Sequence, residues 1–467
     1  MYREREAVRH RSSKAVQVAV VLALAGGAMA PVAATARSAA PRPTSVDGLW
    51  RMEGYGAVLA IEGGRMREYQ TTDVSCQKGF SARRTAPGEY QDADRTLLTV
   101  RRDGARRATL HASGSAGDRQ LRRVAELPEG CGTAMPKDPV TAFDVFWQSF
   151  EENYPFFAAK GIDWHAVRDT YRPQVHADTT RDELFAVFSK MVKPLHDAHV
   201  AVVDGDHRFY QVRPGTTVPS EKLDTKVKNH IVRRDLGGKK PREFASGRIS
   251  YADLPGGQGY LRISGFAGYD TKDPSYAAQL AELDKALDTV LTPARTASLK
   301  GLIIDLRVNG GGSDALGLHI AGRLTDTPYL AYSKRTRYTR PQPVPVRPAK
   351  GVPRYTGPVA VLTGGSTVSA GETFTQALID RPGGTVRIGE ATQGVFSDVM
   401  ERKLPNGMAV GLPNEEFLTR SGRTFDGAGI PPHLRTPVFT KEEFEKNRDS
   451  AFDEAVKVLR ASLPSHD

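Results

Sequence analysis

Cysteine is nearly absent: the 467 residues include only two, Cys76 and Cys131. Two thiols alone do not make a metal site, and nothing in the chain calls for a metal. A P-loop lysine, a G-x-G-x-x-G opening a helix, and any basic helix interleaved with aromatics are also missing. These absences speak against nucleotide cofactors and against nucleic acid as a partner. Beyond residue 36 no run is long and apolar enough to cross a membrane. What is present is a globular composition, 39% hydrophobic and 25% charged. The chain is too long for a single core, which predicts two or three domains.

Residues 1–36 have the form of a processing segment. A basic start is followed by 22 uncharged residues, 15–36, that contain two small-x-small signals, Ala28-Met-Ala30 and Ala34-Thr-Ala36. Cleavage after Ala36 is the better choice because Pro31 would follow the first site. The competing reading is an uncleaved anchor, for which the stretch is long enough. No cysteine follows the apolar run, which argues against a lipoprotein. The segment carries +3 of the formal +11, so its removal leaves +8, which we read as solvated surface with some attraction for anionic partners. Export to a secreted or extracytoplasmic location predicts a Cys76–Cys131 disulfide. Such a bridge closes a loop of about 55 residues and contributes about 4 kcal/mol in the chain-entropy description.

Composition divides the rest. Residues 37–45 are a Pro/Ala/Ser linker. Residues 46–135 show short alternating runs between Gly, Asp and Arg clusters, the pattern of a small all-β domain, sandwich or barrel. From 136 to 205 the period turns helical: Phe143, Phe146, Trp147 and Phe150 form one stripe, and Leu184, Phe188, Met191 and Leu195 another. Thr180 and Glu183 spell a capping box before the second helix. Residues 206–250 are polar and are expected to be connecting loops. Strand–helix alternation over 258–390 predicts a largely parallel α/β layer within a core domain at 251–440, and 441–467 a closing C-terminal helix.

Chemistry concentrates in the α/β part. Residues 301–306 (GLIIDL) form a continuous apolar run, broken only by Asp305, that leads into Gly310-Gly-Gly312. Three glycines can leave N–H groups uncovered for a phosphate or an oxyanion. A second buried strand, 359–363, leads into GGSTVSAGE and a helix. Ser369 at that junction is the candidate nucleophile, with the Ala370 N–H beside it as an oxyanion donor. Its competing role is a plain N-cap, since Ser369 and Glu372 also spell a capping box. A serine needs a neutral imidazole to take its proton and a carboxylate to orient that imidazole. His196, His199 and His207 are the imidazoles within reach of the second helix, and Asp197 could orient one of them.

The segments DLRVNGGG, VLTGGSTVSAGETF, RIGEATQG and GAGIPP together resemble the C-terminal processing (tail-specific) serine proteases. Phe150-Glu-Glu-Asn-Tyr-Pro-Phe-Phe157 and Leu195-His-Asp-Ala-His199 resemble the tricorn-core branch. The resemblance covers about 139–435 and implies a crotonase/ClpP-like α/β core. The Ser–Lys dyad lysine is missing, because Thr392-Gln-Gly-Val395 carries none. The resemblance therefore implies serine with histidine and an acid: Ser369, His199 and Asp426, with Gly311 or Gly312 and Ala370 forming the oxyanion hole. Glu372 and Asp305 are expected to support them. The 206–250 segment is too short for the PDZ domain of many relatives. The implied activity is peptide-bond hydrolysis through an acyl-enzyme, acting on a peptide or protein substrate without cofactor. The alternative is a non-catalytic binder of apolar ligands on the same core, as in retinoid-binding relatives.

Overall fold

The computed structural model describes residues 45–461. The processing segment, the linker up to 44 and the last six residues lie outside them. Eight strands come first: β1 (Gly48–Met52), β2 (Ala57–Glu62), β3 (Arg65–Thr72), β4 (Ser75–Ala86), β5 (Glu89–Gln91), β6 (Leu97–Asp103), β7 (Arg107–Ala112) and β8 (Arg119–Val124). Each pairs with the next, and β8 returns antiparallel to β1, closing a barrel without free edges. Alternation fills it: Ala108, Leu110 and Ala112 of β7 are buried, and Trp50, Met66 and Tyr90 share the same core. The Cys76–Cys131 disulfide, with 4.7 Å between Cα atoms, ties β4 to the chain leaving the barrel.

Helices α1 (Pro139–Asn153), α2 (Trp164–Tyr171) and α3 (Arg181–Val192) follow. Asp138 caps α1, and Thr180 with Glu183 forms a capping box on α3. Their aromatic stripes meet, with the Phe146 and Phe188 rings stacked 4.0 Å apart. After α3 a short 3₁₀ turn stops at His196, whose φ of 47° turns the chain away and frees Asp197–His199.

Residues 206–250, expected to be loops, hold regular structure. After β9 (Ala201–Asp204) come β10 (His207–Tyr210), α4 (Glu221–Arg234), β11 (Arg242–Phe244) and the start of β12 (Ile249–Leu254). Helix α4 carries only Leu223, Val227 and Ile231 as its apolar row, one residue per turn amid charge, too thin a stripe to stand out in the sequence.

The rest of the chain builds the main sheet and its covers. Its elements are β13 (Gln258–Ile263), α5 (Tyr276–Val290), α6 (Pro293–Ser298), β14 (Gly301–Asp305), β15 (Val308–Asn309), α7 (Asp314–Gly322), β16 (Tyr329–Thr336), β17 (Gln342–Val346), β18 (Val359–Thr363), β19 (Ser366–Thr367) and α8 (Ala370–Ala377). Then come β20 (Thr385–Gly389), β21 (Val399–Lys403), β22 (Ala409–Pro413), β23 (Glu415–Leu418), β24 (Leu434–Arg435), α9 (Lys441–Glu445) and α10 (Ser450–Ala461). The expected single closing helix is thus two, separated near Asn447, whose φ is 49°.

The sheet runs β11-β12-β13-β14-β18-β20-β24 and is parallel from β13 to β24. Leu302 and Ile304 pack with α5, α7 and α8, whereas Ile303 packs with α4 and α10. Both faces are covered, which explains the unbroken apolar run. The result is a mixed α/β fold preceded by helices and an all-β barrel.

Candidate active site

Two short strand extensions create the site. Beyond the main sheet β15 pairs with β19, Val308 to Ser366 and Asn309 to Thr367, and the Val368 N–H donates to the Asn309 carbonyl at 3.0 Å. This ladder sets the triple-glycine turn beside the Ser369 turn. Gly311 has φ of +78°, and a Cβ there would lie 2.7 Å from the Ser369 Cβ and 3.1 Å from the Ala370 nitrogen. Only glycine fits.

The glycine N–H groups are unequal. Gly310 donates to the Ser264 carbonyl at 3.1 Å, and Gly311 to Asn309 Oδ1 at 2.9 Å. Asn309 is fully buried and donates in turn to the Ile263 carbonyl at 2.8 Å. Gly311, one of the two expected oxyanion donors, is therefore engaged within the turn. Among the described residues no backbone hydrogen bond of the turns uses the N–H of Gly312 or Ala370. Gly312 is exposed.

Ser369 sits at the N-cap of α8 with φ 55° and ψ −121°, a strained conformation for a residue with a side chain. Its N–H donates to Glu372 Oε2 at 3.1 Å. Glu372 is fully buried and also accepts from Gly394 at 2.6 Å and Val395 at 2.9 Å. Burial pushes its carboxyl up to about 7. Glu372 thus ties the serine turn to the 392–396 loop.

That loop receives the histidine. His199 is carried in by β9, which pairs with β22. Its Nδ1 lies 3.3 Å from the Phe396 carbonyl, and its N–H donates to Asp197 Oδ1 at 3.0 Å. A carbonyl only accepts, so this contact selects the tautomer with the proton on Nδ1 and leaves the Nε2 lone pair free. Burial depresses the His199 pKa, opposed by the Asp197 and Asp398 charges and the Phe396 carbonyl.

Asp426 approaches the same peptide from its other side, accepting from the Phe396 N–H at 3.2 Å. It makes no hydrogen bond to His199, and His199 makes none to Ser369, among the described residues. Lys160 Nζ lies 3.6 Å from Asp426 and 3.9 Å from Asp197, which accepts from the Tyr154 hydroxyl at 2.8 Å. Burial, then the Asp197 charge, hold the Asp426 carboxyl well above the usual carboxylate range.

Asp426 thus meets the Phe396 peptide and not the His199 ring, whose pKa is held up by the charges of Asp197 and Asp398. Asp197 stands beside His199 in the LHDAH run, which gave it a signal; Lys160 and Asp398 had none. Asp305 lies below the site, paired with Arg307 at 2.7 Å and accepting from the Tyr260 hydroxyl at 2.6 Å. Among the described residues no cluster of three or more His, Cys, Asp or Glu is placed to hold a metal ion.

Residues 257–436 match Peptidase family S41, and residues 135–193 match the tricorn protease C1 domain. A candidate peptidase from Parabacteroides merdae ATCC 43184 superposes with a TM-score of 0.58 at 25% identity, over 71% of this chain and 100% of that one. A lipoprotein from Streptococcus agalactiae follows at 0.46 and 17% identity, over 71% of this chain and 99% of its own. No curated protein matches the chain. The S41 span holds the glycine turn, Ser369 and Asp426; His199 falls between the two matched spans, and the barrel precedes both.

Proposed function

Starting from the chain's membership of peptidase family S41, a family of serine-type peptidases, we propose that Ser369 and His199 hydrolyse peptide bonds of peptide or protein substrates through an acyl-enzyme. Ser369 Oγ attacks the carbonyl carbon as its proton passes to His199 Nε2. The N–H groups of Gly312 and Ala370 hold the oxyanion, helped by the start of α8. Collapse expels the amine, which takes its proton from His199, and water repeats the sequence on the ester. The observation that carries this reading is the β15–β19 ladder, which puts Gly311 in contact with Ser369.

His199 closes on Ser369 in the substrate complex, since catalytic contacts often tighten only there. The Phe396 carbonyl fixes its tautomer, and Asp197 and Asp398 favour the imidazolium. Asp426 acts through the Phe396 peptide as a positioning residue. The Cys76–Cys131 disulfide supports an enzyme that works outside the cytoplasm.

The test is labelling by a small fluorophosphonate with hydrolysis of a peptide library. Wild type is labelled and active, and Ser369→Ala is neither. A wild type that takes no label, or a labelled Ser369→Ala, overturns the assignment. A wild type that takes no label but carries an apolar ligand in native mass spectra would instead identify a binding protein.

A further inference from the structure

The barrel lies outside both matched spans, yet it reaches the oxyanion turn. Ser313, the residue after the triple glycine, donates through Oγ to the Gly114 carbonyl in the β7–β8 turn at 2.6 Å, and the Ala315 N–H donates to the same oxygen at 3.3 Å. Arg95 in the β5–β6 turn pairs with Asp273 of the α/β core at 3.0 Å. These contacts tie two barrel turns to the start of α7 and to the chain leading into α5.

Between them lies a cavity of about 310 Å³ that runs from the barrel turns to Gly312. Its core-side walls are Phe266, Pro274, Tyr276 and Leu316, and Thr96 lines it from the barrel. Two of the neighbouring polar side chains are committed elsewhere. Gln279 accepts from the Tyr269 N–H at 2.7 Å and donates to the Asp270 and Asp273 carbonyls; Asp270 accepts from the Lys272 and Asp273 N–H groups. The walls thus offer apolar surface together with the carboxylates of Asp94 and Asp270, neither of which is in an ion pair among the described residues.

On this ground, and resting on the peptidase reading above, we infer that the barrel is part of the substrate site. Its β5–β6 and β7–β8 turns complete a subsite for an aliphatic or aromatic side chain on the acyl side of the scissile bond. The acyl side follows from position. A carbonyl oxygen held by the exposed Gly312 N–H belongs to the residue whose side chain stands nearest the cavity mouth. An acidic side chain would lose its water there against the carboxylates of Asp94 and Asp270. Specificity at this position is therefore built by two parts of the chain, and loosening the barrel contact alters which peptides are cut.

The experiment uses the full chain and peptides that differ only in the acyl-side residue. In wild type, kcat/KM for Leu or Phe exceeds that for Gly or Asp by about tenfold or more. Thr96→Trp, which fills the cavity from the barrel, collapses that ratio towards one. Ala267→Phe, which enters from the opposite wall at an exposed position, is read in the same way if Thr96→Trp does not fold. Equal rates across the series in wild type, or an unchanged ratio in the filled variant, overturn the subsite. A wild type that is labelled by fluorophosphonate but indiscriminate overturns the subsite alone, whereas an unlabelled wild type overturns the peptidase reading as well.

Discussion

At the scale of single residues the site is governed by burial. His199 loses solvation, and its pKa falls below the ordinary histidine value of 6.5. A group with a depressed pKa is deprotonated at neutral pH, so the imidazole is able to accept a proton. We expect kcat/KM to rise with pH through a value below 6.5 and then level off; a limb centred above 6.5 would contradict the placement of His199. Glu372 shifts the other way, to about 7 from 4.5. The folded state then binds its proton more tightly than the unfolded state does. Its stabilising contribution is complete below pH 4.5 and is lost as pH rises through 7. Glu372→Gln removes this titration, so the fall in melting temperature between pH 5 and pH 8 should be shallower in the variant. Ser369 was legible because a serine at a strand–helix junction is a local pattern. The Phe396 peptide, which His199 and Asp426 share, was not legible: a backbone carbonyl has no sequence signature.

At the scale of elements the decisive unit is the pair of two-residue strands that brings the glycine and serine turns together. Gly311→Ala meets the Ser369 Cβ at 2.7 Å in a backbone with φ of +78°. We expect fluorophosphonate labelling to slow by about a hundredfold or more, the scale of a damaged oxyanion site. Asn309→Ala leaves the buried Ile263 carbonyl and the Gly311 N–H unpaired and should cost about 1–3 kcal/mol each in denaturant unfolding. The long buried strands β14 and β18 were readable from continuous apolar runs, and α1 and α3 from aromatic periodicity. Helix α4 escaped because its contact with the sheet uses three side chains in four turns. The β15–β19 ladder escaped because two residues carry no period. The glycines announced a close approach without saying to what.

At the scale of the whole molecule four bodies of apolar packing among the described residues are held by specific ties. The disulfide closes the barrel onto the α1 approach across a separation of 55 residues. Replacing both cysteines by serine should lower stability by about 4 kcal/mol, measured by the unfolding of the buried Trp50. A second tie crosses the sheet. Arg307, fully buried one residue before β15, pairs with Asp305 and, at 2.6 Å, with Asp449 at the start of α10. Losing one partner of such a buried charge costs about 3–5 kcal/mol. Helix α10 is the last regular element of the described residues, and it covers the face of β14 and β18 that carries Ile303 and Leu362. The strands that present Ser369 and the glycine turn share this cover with α4, and without α10 that face is left partly bare. A chain ending before Lys441 should keep a folded barrel yet take no fluorophosphonate label. The reactive turns are thus braced from behind: a helix on the far side of the strands decides whether the front of the sheet keeps its shape.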